Sequence, residues 1–109
     1  MCLILFLSTS NRVIRADTSR IDYGYDGSGI WVSVIDSGID FSHPALGSGK
    51  IIAEKSWFAW GDDTTTNDLN GHGTHVAGII SSTDSTYRGI APGTKLINAK
   101  VVDKNGDSG

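Results

Sequence analysis

The run Ile30-Trp31-Val32-Ser33-Val34-Ile35, closed by Asp36-Ser37-Gly38, decides how this 109-residue chain is read. Its β-branched and aromatic residues are interrupted only by Ser33, the pattern of a parallel strand that lies under helices on both faces. Asp-Ser-Gly is turn chemistry, so the strand stops there and Asp36 stands at its carboxyl end. Downstream, Ile51 to Phe58 is a second strand-like apolar patch. Gly61 to Asn70 is too rich in Asp, Thr and Asn for regular structure and reads as a loop. From His72 onward, the spacing of Val76, Ile79 and Ile80 suits an amphipathic helix, and Gly71 and Gly73 at its start permit close backbone approach. A polar turn, Ser81 to Arg88, and the segment Gly89-Ile90-Ala91-Pro92 lead into a third strand, Lys95 to Val102. Asp103 to Gly109 form a turn-rich loop. Upstream, Asn11 to Gly29 mixes charge, Gly and Ser with no clean period, which predicts an irregular lead-in over the surface.

The order strand, strand, helix, strand predicts an α/β fold: a mainly parallel sheet with flanking helices and crossover connections. No internal repeat or low-complexity tract argues otherwise. In such sheets, chemistry collects outside the carboxyl ends of the strands and at adjacent helix starts. Asp36 and His72 both fall there.

Length allows one small domain with a modest core, shorter than most doubly wound enzymes, so an incomplete domain is expected. Residues 13–109 form that domain; residues 1–12 are set apart as a truncated leader or a frayed terminus. The apolar stretch Leu3 to Leu7 is too short to span a bilayer and has no basic residues before it, so a short strand is an equal reading. Fourteen glycines imply many tight turns. A net charge of −3 with scattered basic residues leaves no electrostatic footprint for nucleic acid or an anionic membrane. Cys2 is the sole cysteine, which excludes an intrachain disulfide and a cysteine-based zinc site.

Taken singly, Asp36 is a common turn former and His72 an ordinary polar residue at a helix start. Their surroundings change that. Val34-Ile35-Asp36-Ser37-Gly38-Ile39-Asp40, followed by Asn70-Gly71-His72-Gly73-Thr74-His75-Val76-Ala77-Gly78, resembles the aspartate and histidine signatures of subtilisin-like serine proteases, in that family's order. Gly89-Ile90-Ala91-Pro92 running into Ala99-Lys100-Val101 is similar to the family's Gly-Val-Ala-Pro segment and the substrate-binding strand beyond it. Three matches stand in order, and the resemblance covers roughly Val13 to Gly109.

The resemblance implies a subtilisin-like fold and a polypeptide substrate. It also implies that His72 is the general base and later the general acid, while Asp36 holds its imidazole in one tautomer and stabilises the imidazolium. A buried strand and a helix start would hold the two side chains together although 36 positions separate them. His72 and His75 make a His-x-x-His pair, but zinc helices space two histidines four apart around a glutamate, and here Gly73 and Thr74 intervene; His75 reads as structural. Asp68 matches an acid found just before this histidine in related proteases; it is either a residue that tunes the pocket or a solvated loop carboxylate.

The chain departs from the family pattern in its nucleophile. Gly-Thr-Ser-Met-Ala is absent, and Ser81, Ser82 and Ser108 lack that setting; the family's oxyanion asparagine lies later than Gly109. No cofactor is assigned: Ala45 stands where relatives carry a calcium-binding aspartate, and the short Ser81 to Arg88 turn lacks a ligand loop, which leaves calcium to other parts of a longer parent. The leading reading is a fragment of a serine endopeptidase, inactive by itself. Set against it are a non-catalytic pseudoenzyme or complementing module, and a nucleotide-binding α/β domain, which the missing Gly-x-Gly-x-x-Gly loop disfavours. Secretion is the family's habit.

Overall fold

The computed structural model describes residues 7–47 and 49–108. Its centre is a three-stranded, all-parallel sheet of β1 (Trp31–Asp36), β2 (Ile51–Ser56) and β3 (Lys95–Lys100), in the order β1-β3-β2. The register sets Asp36 beside Lys100, so the last residues of β1 and β3 share one end of the sheet. The α/β architecture read from the strand order is the one observed. Strand ends differ slightly from expectation: β2 stops at Ser56 and β3 at Lys100. Beyond Lys100, the N–H groups of Val101 and Val102 both turn to donate to the backbone carbonyl of Asp36.

One helix, α3 (His72–Ser81), packs against β1 and β3. The buried core comprises Val34, Ile39, Leu46, Ala77 and Leu96, with Val32, Ile51, Val76 and Ile80 packed around it. β1 is covered on one face only: Val34 is buried, whereas Trp31 and Ile35, which point the other way, are each 67% exposed. The continuous apolar run of β1 led to an expectation of cover on both faces, and the described residues cover one. The run shows what the strand tolerates, not what lies above it.

The lead-in is not irregular. Residues Leu7–Val13 form α1 and Ala16–Tyr23 form α2, joined by a turn in which Arg15 takes a left-handed conformation with φ of 60°. Periodicity misses these helices because α2 buries none of its residues; it is held by polar side chains instead. Arg20 donates through Nη1 to Asn11 Oδ1 at 3.0 Å and to the carbonyl of Ile90 at 3.0 Å, and Asn11 Nδ2 donates to the carbonyl of Arg88 at 3.0 Å. Met1 to Phe6, half of the expected leader, lie outside the described residues, and Leu7 opens α1. No helix among the described residues is long and apolar enough to cross a membrane.

So small a core gives little hydrophobic stabilisation to set against the entropy of ordering the chain. The purified chain is expected to melt at or below the ordinary mesophile range of about 45–65 °C. Differential scanning calorimetry checks this, and a cooperative transition well above that range would contradict it.

Candidate active site

Asp36 ends β1, where the strand hydrogen bonds of its neighbours fix its backbone. Its Oδ1 accepts from the backbone N–H of Ser37 at 2.6 Å, which orients the carboxylate within its own turn. His72 is the first residue of α3, and its Nδ1 lies 2.9 Å from Asp36 Oδ1 and 2.8 Å from Oδ2. A carboxylate facing Nδ1 selects the tautomer with the proton there, leaving a basic lone pair on Nε2. The aspartate side chain is mostly enclosed, at 17% exposure, while that of His72 is 68% exposed. The arrangement is therefore an imidazole anchored through Nδ1 on a side chain that is otherwise largely open to solvent.

What brings these two residues together is a knot of hydrogen bonds around Asp68. Its Oδ1 accepts from Ser37 Oγ at 2.9 Å, Asn70 N at 3.0 Å and Gly71 N at 2.8 Å. Its Oδ2 accepts from the N–H of Thr74 at 2.8 Å and from Thr74 Oγ1 at 2.6 Å. Ser37 Oγ in turn accepts from Gly73 N at 2.9 Å, and Thr74 Oγ1 accepts from Asp40 N at 2.8 Å. The turn after β1 and the first turn of α3 are thus tied through one carboxylate and two hydroxyls. Asp68 is not the solvated loop carboxylate that was one of its two sequence readings. It accepts from two of the N–H groups at the helix start, those of Gly71 and Thr74, while Asn70 Oδ1 takes that of His72 at 3.2 Å; Gly71, at the N-cap, has no side chain to do so.

The knot also needs backbone contact. A side-chain carbon on Gly73 would collide with the carbonyl oxygen of Gly38, so only glycine fits there. Gly38 has φ of 106° and is itself crowded by the carbonyl of Thr66. The close approach expected at Gly73 occurs; Gly71 serves differently, by taking a left-handed φ of 106° ahead of the helix.

A buried ion pair braces the loop that carries Asp68. Lys100 is fully buried, and its Nζ lies 2.9 Å from Asp63 Oδ1 and donates to the carbonyl of Asn67 at 2.9 Å. Sequence reasoning passed over this pair, although a lysine among the apolar residues of a strand is a signal in itself: a buried ammonium requires a partner. His75 is half-buried, and burial foremost pushes its pKa down, which favours the uncharged form. No group of three His, Cys, Asp or Glu among the described residues could hold a metal. The carbonyl of Ala45 is engaged by Thr83, accepting from its N–H at 2.9 Å and its hydroxyl at 3.1 Å.

A match to the subtilase family spans residues 27–109. The chain belongs to the subtilase family. The match begins inside the lead-in. Among curated relatives, the thermophilic serine proteinase of Bacillus sp. (strain AK1) is 40% identical over 92 residues, covering 78% of this chain and 22% of that protein. The major intracellular serine protease of Bacillus subtilis (strain 168) is 41% identical over 90 residues, covering 79% and 28%. Subtilisin DY of Bacillus licheniformis is 40% identical over 96 residues, covering 86% and 33%. The chain therefore spans a third or less of the length of these subtilases.

Burial by itself raises the pKa of Asp68, but the hydrogen bonds from Gly71, Thr74 and Ser37 outweigh it and hold the carboxyl below its ordinary value of 3.8. A group depressed in the folded state contributes stability above its unfolded value, and this is lost as pH falls through the folded value. Asp68→Asn, which cannot accept from all five donors, is expected to cost about 2 kcal/mol at pH 7. That difference from the parent should shrink below pH 3.8. Denaturant titrations at pH 7 and pH 3 check it; a difference independent of pH would show that the carboxylate charge is not what holds the knot.

Proposed function

We propose that this chain supplies two of the three catalytic side chains of a serine endopeptidase, Asp36 and His72, to a nucleophilic serine encoded elsewhere. The observation that carries the reading is the 2.8 Å approach of His72 Nδ1 to the Asp36 carboxylate at the carboxyl end of the sheet, on a side chain that is otherwise largely open to solvent. In the proposed reaction, His72 Nε2 takes the hydroxyl proton of the serine as its oxygen attacks the peptide carbonyl carbon. The protonated imidazole, stabilised by Asp36, then gives that proton to the leaving amine, and an acyl-enzyme results. Water repeats the sequence: His72 removes its proton, the oxygen attacks the ester, and the serine hydroxyl is regenerated.

Ser81, Ser82 and Ser37 do not suit the part of nucleophile. Ser81 is buried and bonded to Lys50 Nζ at 2.6 Å and to the carbonyl of Thr94 at 3.1 Å; Ser82 is buried too. Ser37 Oγ is committed to Asp68 and Gly73. The exposed face of β1, with Trp31 and Ile35, favours a complementing role, in which the chain acts when joined to further polypeptide. A nucleotide-binding role is disfavoured, because the carboxylate after β1 would repel a phosphate.

Two outcomes follow. The isolated chain is expected not to cleave a chromogenic peptide; cleavage sensitive to a serine-directed phosphonate would refute that. In a polypeptide that joins this chain to a Gly-Thr-Ser segment and is active, Asp36→Asn should lower kcat about 10,000-fold, the size typical of triad aspartates in serine proteases. His72→Ala should lower it at least as much, and retention of near-parental kcat by either variant would remove these residues from the mechanism.

A further inference from the structure

Away from the Asp36–His72 pair, a cavity of ≈ 270 Å³ opens between the α1–α2 hairpin and the turn that follows α3, lined by Arg12, Arg20, Arg88, Asp17, Ser85 and Thr86 among others. Three guanidinium groups and one carboxylate meet around it, in a chain whose net charge is −3. Arg20 is fixed in place: its Nη1 donates to Asn11 Oδ1 at 3.0 Å and to the carbonyls of Ile90 at 3.0 Å and Gly89 at 3.3 Å. Arg12 and Arg88 are exposed, and neither makes an ion pair with another described residue. Asp17 makes none either; its Oδ1 accepts from the N–H of Thr18 at 2.8 Å. The turn opposite is held by Asp84, whose Oδ1 accepts from the N–H groups of Thr86 and Tyr87, both at 2.8 Å.

Gathering like charges around one cavity costs Coulomb energy that an anion placed among them would offset. Guanidinium forks match the oxygens of a tetrahedral oxyanion, and hydroxyls such as those of Ser85 and Thr86 add neutral donors. We propose that this cavity is a binding site for a dianionic tetrahedral oxyanion, the chemistry shared by free phosphate and a phosphoryl group on a larger molecule. It would pin the N-terminal hairpin to the turn after α3, whatever reaction Asp36 and His72 serve.

The test is the thermal midpoint of the purified chain titrated with sodium phosphate at constant ionic strength, with sodium chloride as the balance. Phosphate should raise the midpoint in a saturable way. Arg12→Gln and Arg88→Gln should each weaken the apparent affinity about tenfold, the worth of one charge-assisted hydrogen bond. Asp17→Asn, which removes the opposing charge and keeps an acceptor for Thr18, should tighten it about threefold. O-Phosphoserine binding more tightly than phosphate would assign the site to a phosphoryl group on a larger molecule; weaker binding would assign it to the free anion. A midpoint that phosphate raises no more than chloride, or an affinity unchanged in both arginine variants, would overturn the proposal.

Discussion

The carboxylate of Asp68 is the constraint on which the rest of the site depends. Five donors converge on its two oxygens, from Ser37 in the turn after β1, from Asn70 and Gly71 just ahead of α3, and from Thr74 in its first turn. A helix start leaves several N–H groups without partners, and here side chains satisfy them: Asp68 takes those of Gly71 and Thr74, Asn70 that of His72 and Ser37 that of Gly73. Because the same carboxylate also grips Ser37, capping the helix and docking it onto the strand end are one event. His72 reaches Asp36 as a consequence: each is adjacent in sequence to residues that the knot holds.

Two lysines support this arrangement from the interior, by different chemistry. Lys100 is neutralised by Asp63 and additionally bonded to the Asn67 carbonyl, which ties the end of β3 to the loop carrying Asp68. Lys50 has neutral partners only: Ser81 Oγ at 2.6 Å and the carbonyls of Pro92 and Thr94, both at 2.8 Å. Three donors meet three acceptors, so the ammonium is fully satisfied, although burial foremost, and the nearby Lys95, push its pKa down. Both residues anchor segments that carry too few apolar side chains to be held by burial. In a core this small, polar staples do what a larger hydrophobic interior would otherwise do.

Much of this was legible in the chain. The β-favouring runs located all three strands, the Val76, Ile79, Ile80 spacing located α3, and the residues around Asp36 and His72 pointed to the subtilase family. The misses share a cause. The helices of the lead-in are held by Arg20 and Asn11 rather than by an apolar stripe, so they leave no hydrophobic period to detect. Asp68 reaches Ser37 across 31 positions, Lys100 reaches the Asn67 carbonyl across 33 and Asp63 reaches Lys104 across 41, and polar pairing at such distances has no local signature. The exposed face of β1 was likewise hidden, since an apolar side chain reads the same whether or not anything covers it.

By itself, then, the sequence determined the parallel α/β class, the place of Asp36 at a strand end and of His72 at a helix start, and the family. These follow from periodicity, turn chemistry and short motifs, all of which are local. Only the tertiary structure decided that the imidazole and the carboxylate meet at 2.8 Å, that Asp68 is the clasp between their elements, and that three arginines surround one cavity. Those are consequences of chain crossing in space, where segments with no sequence relation to one another must satisfy each other's charges and hydrogen bonds.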